Sequence, residues 1–306
     1  MSVLRAQAPA KVNLGLFVGP VRGGDGRHEL VSVMQSLSLA DELVLEPAPG
    51  EDGDEVVCPG VPGPAEDNLA ARALEAFRRA SGWQGAPVRL RVNKRIPLAA
   101  GLAGGSADAA AALRLAARAS GIGDPDLMLE LAGELGADVS AQLRPGRWLA
   151  RGAGERLEQL PAPEGELAAL LLPFVDGLAT GSVYEQADRL RPPRTLAELG
   201  ELGDELREQL ASGAPLPREE RLLGNDLQAA AISLCPAIDQ ALDELRDAGA
   251  HHAFVSGSGP TTVGLFAGPG AQAALERAAA SLASRRPAVI ACTAVDERAG
   301  AVLESG

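Results

Sequence analysis

The run PLAAGLAGGSADAAAALRLAARASG, residues 97–121, constrains this chain more than any other stretch, because it joins a glycine-rich loop directly to an alanine-rich helix. A helix that is apolar almost all round has to be buried, so this one belongs inside a layered fold with its N-terminus opening into the loop. The spacing places Ser106 as the N-cap, Asp108 in the first turn and Gly121 just past the end. Glycines strip side chains from a loop, so its backbone N–H groups can converge on an anion that the helix dipole favours. They serve equally well in a close-packed turn without a ligand, and the run alone leaves both readings open. Two known cradles are excluded. A Walker loop needs G-x-x-x-x-G-K-[ST] and no lysine follows here; a dinucleotide fold needs G-x-G-x-x-G, which GLAGGS does not supply.

Neighbouring stretches alternate as strands do. Val12, Leu14, Leu16 and Val18 share one face of a half-buried strand, with Lys11, Asn13 and Gly15 on the other. Val88, Leu90 and Val92 alternate against Arg89, Arg91 and Asn93 in the same way. Asp67 is placed to cap a helix that Gly82 stops. Asp124, Pro125 and Gly136 bracket another, which delivers GADVSAQL with Asp138 near its start. Residues 47–66 read as an acidic, mobile excursion around one short strand. From about residue 150 the pattern restarts, with helices over 195–212, 225–249 and 270–285 around AFVSGSGPTTVGLF, read as strand-turn-strand, and the strand AVIACTAV. Interleaved strands, helices and hairpin signals indicate α+β layers. A chain of 306 residues exceeds one ordinary core, so two domains are expected, 1–150 and 151–306, with a site at their interface.

A formal net charge of −13 is a poor match for a nucleic-acid backbone, so any phosphate has to be bound locally. No apolar run reaches the roughly 18 residues of a membrane span. MSVLRAQAPAKVNLG lacks a signal-peptide core, which gives the cytoplasm as the expected location. Cys58, Cys235 and Cys292 are odd in number, far apart and outside metal-ligand spacing, so they are expected as small buried or half-buried residues. Of 28 basic residues only Lys11 and Lys94 are lysine. A lysine in an arginine background suits a compact point charge rather than a planar fork. Lys94 has two readings, reaching a phosphate or edging a strand. His251 and His252 are expected to cap carbonyls where a helix ends, and His28 is either a buried, hydrogen-bonded histidine or a substrate contact.

Three stretches, APAKVNLGL at 8–16, PLAAGLAGGSADAA at 97–110 and FVSGSGPTTVGLF at 254–266, resemble the signature regions of the GHMP kinases, named for galactose, homoserine, mevalonate and phosphomevalonate. They stand in the family's order and span most of the chain. Within that superfamily, APAKVNLGLFV, DGRHELVSVMQSLSLADEL, LGADV, GAGERLEQL and LLGNDLQAAA are most similar to the 4-diphosphocytidyl-2-C-methyl-D-erythritol kinases. The resemblance implies transfer of the ATP γ-phosphate, with Mg2+, to the 2-hydroxyl of the methylerythritol part of a cytidyl-diphosphate substrate. It also implies a two-domain α+β architecture. An N-terminal α/β domain of the ribosomal protein S5 domain 2-like type would pack on a C-terminal ferredoxin-like domain, with the active site between them.

Carried over residue by residue, the catalytic pair falls on Lys11 and Asp138, with Asp138 accepting the proton of the attacking hydroxyl and Lys11 pairing with that carboxylate. The ATP loop falls on Pro97, Leu98, Ala99, Ala100, Gly101, Leu102, Ala103, Gly104, Gly105, Ser106 and Ala107, with Ser106 a candidate contact to phosphate or Mg2+. Substrate contacts fall on Asn13, His28 and Tyr184, and on Arg27, which stands where the family has a tyrosine. The resemblance then implies a guanidinium over the cytosine ring in place of aromatic stacking. Ala103 replaces a glycine and so needs an ordinary backbone conformation, and Ala107 lacks a hydroxyl. Ser140, Ala141 and Gln142 replace the proline and aromatics that commonly follow the aspartate. Two rivals stay open: another GHMP kinase acting on homoserine, mevalonate or a sugar, which leaves GRHEL and Tyr184 unexplained, and a catalytically weak nucleotide-binding relative, suggested by DVSAQL.

Overall fold

The computed structural model describes residues 2–50, 53–64 and 67–305. In chain order the elements begin β1 (Val3–Val21), β2 (His28–Pro47), β3 (Glu55–Val57), α1 (Leu69–Ser81), β4 (Val88–Asn93), α2 (Gly104–Ser120), α3 (Pro125–Leu135), α4 (Ala137–Gln142), β5 (Arg147–Gly152) and β6 (Arg156–Leu160). They continue β7 (Leu167–Leu172), α5 (Thr180–Leu190), α6 (Leu196–Leu210), α7 (Gln228–Leu234), α8 (Ala237–Asp247), β8 (His252–Val255), β9 (Thr262–Ala267), α9 (Ala271–Ser281), β10 (Ile290–Thr293) and β11 (Val302–Ser305).

These strands form two sheets. The first runs β11-β1-β2-β4-β3, with β5 extending from β2 and β6 from β5. The second runs β10-β7-β9-β8 with every pair antiparallel. Helices fill both long connections of that second sheet, which gives the split β-α-β arrangement of a ferredoxin-like domain. The boundary expected at 150/151 falls inside β5, and both β6 and β11 join the first sheet, so that layer is not contiguous in sequence. Of the excursion at 47–66, residues 51, 52, 65 and 66 lie outside the described residues; the rest carries β3, parallel to β4.

The pairing of β1 with β2 slips between Pro9 and Lys11, between Asn13 and Gly15, and between Val18 and Val21. Each slip bends the strand and re-aims the side chains that follow. Val12 and Leu14 therefore enter one core cluster while Leu16 and Val18 enter another. Instead of the half-buried strand expected, β1 is buried on both faces from Ala8 to Val18, because helices and the second sheet cover what a lone sheet exposes. β4 keeps the simple alternation, with Val88, Leu90 and Val92 inward.

The helix after the glycine loop is buried as its composition requires, with Ala109, Ala110, Ala111, Leu113 and Leu115 fully inside. Its start differs from expectation. Ala103, not Ser106, holds the N-cap, in the left-handed conformation at φ 55°, and contributes no capping side chain. Ser106 is thus already helical, and Asp108 lies beyond the first turn. Asn68 rather than Asp67 caps α1, its Oδ1 accepting from the Ala70 N–H at 2.9 Å. The helix expected over 225–249 is two helices, because Pro236 stands between α7 and α8 and has no N–H to donate. His252 lies in β8 with Nε2 3.0 Å from the Leu223 carbonyl, and His251 Nδ1 accepts from the Ala267 N–H; the pair ties strands and turns together instead of capping α8. Among the described residues no helix is long and apolar enough to cross a membrane.

Candidate active site

A cleft of about 940 Å³ opens where the first sheet, the glycine loop, α4, α5 and the β8–β9 turn meet. Its size is ordinary for a small-molecule site. The slips in β1 bracket Lys11 and Asn13 and bring both side chains into it. Lys11 Nζ donates to Asn13 Oδ1 at 2.7 Å and lies 3.5 Å from Asp138 Oδ2. Asn13 Nδ2 donates in turn to Ser32 Oγ at 2.7 Å, and Ser32 Oγ donates to the Gly15 carbonyl at 2.8 Å. Every polar atom along this row has a partner, so the ammonium is held in one place. Asp138, in the first turn of α4, keeps 40% of its side chain exposed beside the cleft, which leaves the carboxylate room to accept a proton.

Residues 97–106 all line the cleft. The first bond inside α2 runs from the Ala107 N–H to the Ala103 carbonyl, so the amides of Gly104, Gly105 and Ser106 precede the ladder. A serine N-cap would occupy one of those donors; alanine in the cap position leaves them for a ligand. Of the residues expected in the ATP loop, Ala107 does not line the cleft: it is 1% exposed and spends its N–H inside the helix.

The β8–β9 turn closes the other side of the loop. Ser256 Oγ donates to the Gly101 carbonyl at 3.1 Å, and a Cβ at Gly101 would stand 2.3 Å from the Ser256 carbonyl oxygen, so only glycine allows the two backbones to meet. Gly257, Ser258 and Gly259 reach the cleft, and Ser258 Oγ lies 3.1 Å from Thr180 Oγ1. Asn225 holds this turn, its Nδ2 donating to the carbonyls of Val255 (2.6 Å) and Gly257 (2.8 Å). The stretch LLGNDL carried that signal as an asparagine ahead of a helix, but no spacing rule links it to a turn thirty residues on.

At the far end, His28 Nδ1 is 3.0 Å from the Gly19 carbonyl, which places the proton on Nδ1, while Nε2 lies 3.5 Å from Asp188 Oδ2. The Tyr184 ring is 5.1 Å from the His28 ring, tilted by 32°. Burial, and then the Asp138 carboxylate, push the Tyr184 phenol up to about 12 against the opposing charge of Arg27, so it stays neutral. Arg27 lines the same end, with Nη2 donating to the Ala153 carbonyl at 2.7 Å. The structure thus gathers Lys11, Asn13, Arg27, His28, Tyr184, Asp138 and residues 97–106 around one space.

Residues 68–146 match the family described as GHMP kinases N terminal domain, and residues 196–284 the family described as GHMP kinases C terminal. The 4-diphosphocytidyl-2-C-methyl-D-erythritol kinase of Anaeromyxobacter dehalogenans is 44% identical over 277 residues, covering 86% of this chain and 81% of its own; that of Thermobifida fusca is 42% identical and covers 91% of each. This chain belongs to the 4-diphosphocytidyl-2-C-methyl-D-erythritol kinase family. It is therefore an ATP-dependent small-molecule kinase of the GHMP type. A crystal structure of a 4-(cytidine 5'-diphospho)-2C-methyl-D-erythritol kinase superposes with a TM-score of 0.72 at 34% identity, covering 95% of this chain and 98% of that one. A homoserine kinase from Cytophaga hutchinsonii superposes with 0.74 at only 18% identity. Backbone likeness thus marks the shared GHMP fold, while sequence separates the branches.

In this member of the family Lys94 follows the last residue of β4 and lines the cleft beside Gly104. Its ammonium bridges Asp41 and Asp108, the latter at 2.6 Å, and Asp41 Oδ1 also accepts from the Arg95 and Ile96 N–H groups. The bridge staples the entry of the phosphate loop to α2 behind it. Burial pulls the ammonium down, but the two carboxylates outweigh it and hold Lys94 above its usual value. Burial raises Asp108 to about 7, with Asp41 adding to the rise and Lys94 opposing it. Two buried carboxylates share one cation, and among the described residues Asp108 Oδ1 has no hydrogen-bond partner.

Proposed function

We propose that Lys11 and Asp138 carry out ATP-dependent phosphorylation of the 2-hydroxyl of 4-diphosphocytidyl-2-C-methyl-D-erythritol, a step in making isoprenoid precursors. The observation that carries this reading is the Lys11–Asp138 pair facing the free amides of the α2 N-terminus across one cleft. The triphosphate lies on the amides of Gly104, Gly105 and Ser106, which precede the helix ladder and have no backbone partner among the described residues, where the helix dipole favours negative charge. Asp138 takes the proton of the acceptor hydroxyl as its oxygen attacks the γ-phosphorus, a contribution of roughly 10² to 10⁴ in rate for a positioned base. Lys11 fixes that carboxylate and steadies the charge that develops on the oxygen. Phosphoryl transfer asks for little more than placement and charge neutralisation.

Ser106 offers a hydroxyl at the loop, and among the described residues no group of three His, Cys, Asp or Glu side chains is placed to hold a metal by itself. That donor set fits a Mg2+ carried in by the phosphates, since Mg2+ keeps several waters and needs only one or two protein oxygens; when bound it offsets charge on the triphosphate. Arg27, His28 and Tyr184 receive the cytosine, and Asn13 the methylerythritol hydroxyls. In this division of labour residues 1–150 supply the phosphate loop and catalytic pair, and residues 151–306 supply Tyr184 and the β8–β9 turn.

The test is product analysis. Purified protein with Mg-ATP and the cytidyl acceptor should release ADP and yield a product whose new phosphate sits on the C2 oxygen by phosphorus NMR. ADP release without acceptor phosphorylation, or phosphate on another oxygen, overturns the reading.

A further inference from the structure

The residues after Asp138 end at a buried node whose side chains do not line the cleft. Gln142, 2% exposed, closes α4; its Nε2 donates to the Pro9 carbonyl at 2.8 Å and its Oε1 accepts from Ser36 Oγ at 3.4 Å. The backbone carbonyl of Gln142 accepts from Arg114 Nη1 at 2.6 Å, and Arg114 Nη2 donates to the Gln7 carbonyl at 2.7 Å. Arg114 stands on α2, whose N-terminus forms the phosphate loop. One node therefore ties α2 to α4, which carries Asp138 in its first turn, and to β1, which carries Lys11.

Two features make the node more than packing. α4 has six residues and no side-chain cap at Gly136, so its start is held by backbone bonds alone, the Gly136 N–H to the Ala132 carbonyl and the Val139 N–H to the Gly136 carbonyl, and the turn that holds Asp138 leans on its other end. Pro9 directly precedes the slip in β1 that sets the direction of Lys11, so the Gln142 amide grips the backbone two residues from the ammonium. In these contacts the guanidinium meets carbonyls alone, and Arg114 Nε has no partner among the described residues. Burying a cation this way is costly, and what it secures is the end of α4 and the start of β1.

We propose that Gln142, anchored by Arg114, is a positioning residue that sets the reach of Asp138 to Lys11. The inference rests on reading Lys11 and Asp138 as the catalytic pair. Gln142→Met keeps the volume and removes the amide donor. In its crystal structure the Lys11 Nζ to Asp138 Oδ2 separation should exceed 3.5 Å. Its kcat should fall roughly 10- to 100-fold, the loss expected of a misplacement near 1 Å, with KM for ATP and acceptor within about twofold of wild type. The same change made in an Asp138→Glu background should cost little, since the placement it disturbs is already altered. An unchanged separation with unchanged kcat in the folded variant overturns the proposal, as does an equal loss in both backgrounds. Should Gln142→Met fail to fold, Gln142→Asn, one methylene shorter, tests the same hydrogen bond. The separation is read without substrate, so it decides the positioning role even if the acceptor assignment fails.

Discussion

Lys11 Nζ lies 3.5 Å from Asp138 Oδ2 in the lining of the cleft, while its hydrogen bond to Asn13 Oδ1, 2.7 Å long, anchors it to the strand. On the proposed mechanism, proton acceptance and charge stabilisation fall to separate, neighbouring atoms. Asp138→Asn keeps the shape and removes the base, so single-turnover ADP formation should drop by roughly 10² to 10⁴, while calorimetry finds ATP bound as before. A variant of near-normal rate would remove Asp138 from the chemistry.

Arg27 supplies a planar cation at the end of the cleft proposed for the cytidyl group, which Tyr184 also lines, with one nitrogen bonded to the Ala153 carbonyl. A guanidinium over a base contributes about 0.5–2 kcal/mol. Arg27→Ala should therefore raise KM for the cytidyl acceptor several-fold and leave KM for ATP alone. An acceptor KM that does not move would exclude the stacking role.

Much of this architecture is legible in the sequence where the rule is local. The alternation in β4 and the start and stop of α3 at Asp124, Pro125 and Gly136 emerge as read. The three glycine-bearing stretches, far apart in the chain, point to the space they jointly line. What stays hidden depends on partners that spacing does not connect. Lys94 meets Asp41 from 53 residues away, and Gln142 meets Pro9 from 133. The two-sided burial of β1 comes from the helices and second sheet that cover it, and the re-aiming of its side chains from pairing slips that only the β2 register reveals. Ala103 illustrates a different limit: capping rules look for a side-chain oxygen, whereas here the cap is a backbone conformation that alanine seldom adopts.

That conformation yields a stability prediction. A left-handed alanine costs about 1–2 kcal/mol, and glycine relieves it while adding about 0.4–1 kcal/mol of unfolded-state entropy. Ala103→Gly should raise Tm by roughly 1–3 °C and keep ATP binding. Ala103→Val, β-branched at positive φ, should lower both. A glycine variant less stable than wild type would contradict the strain at this cap.

The shared ammonium behind the loop makes stability depend on pH. An unfolded aspartate titrates near about 3.9, while burial raises Asp108 to about 7 in the fold. Between these values the folded state holds a proton that the unfolded chain has released. The stabilisation it brings is complete below about pH 4 and is lost as pH rises through about 7. Asp108→Asn cannot titrate, so denaturant midpoints measured from pH 4 to 8 should show a shallower fall than in wild type. Identical slopes would place the titration elsewhere.

The cleft built around Lys11, Asp138 and the α2 N-terminus is proposed to phosphorylate a cytidyl-diphosphate acceptor rather than homoserine or mevalonate. The direct measurement is kcat/KM for ADP formation with Mg-ATP and 4-diphosphocytidyl-2-C-methyl-D-erythritol, homoserine or mevalonate as acceptor. The cytidyl acceptor should be preferred by roughly 10²-fold or more, because its base fills the contacts of Arg27, His28 and Tyr184 that the others leave empty. Equal or faster turnover of homoserine or mevalonate, or no turnover with any acceptor, would contradict the account.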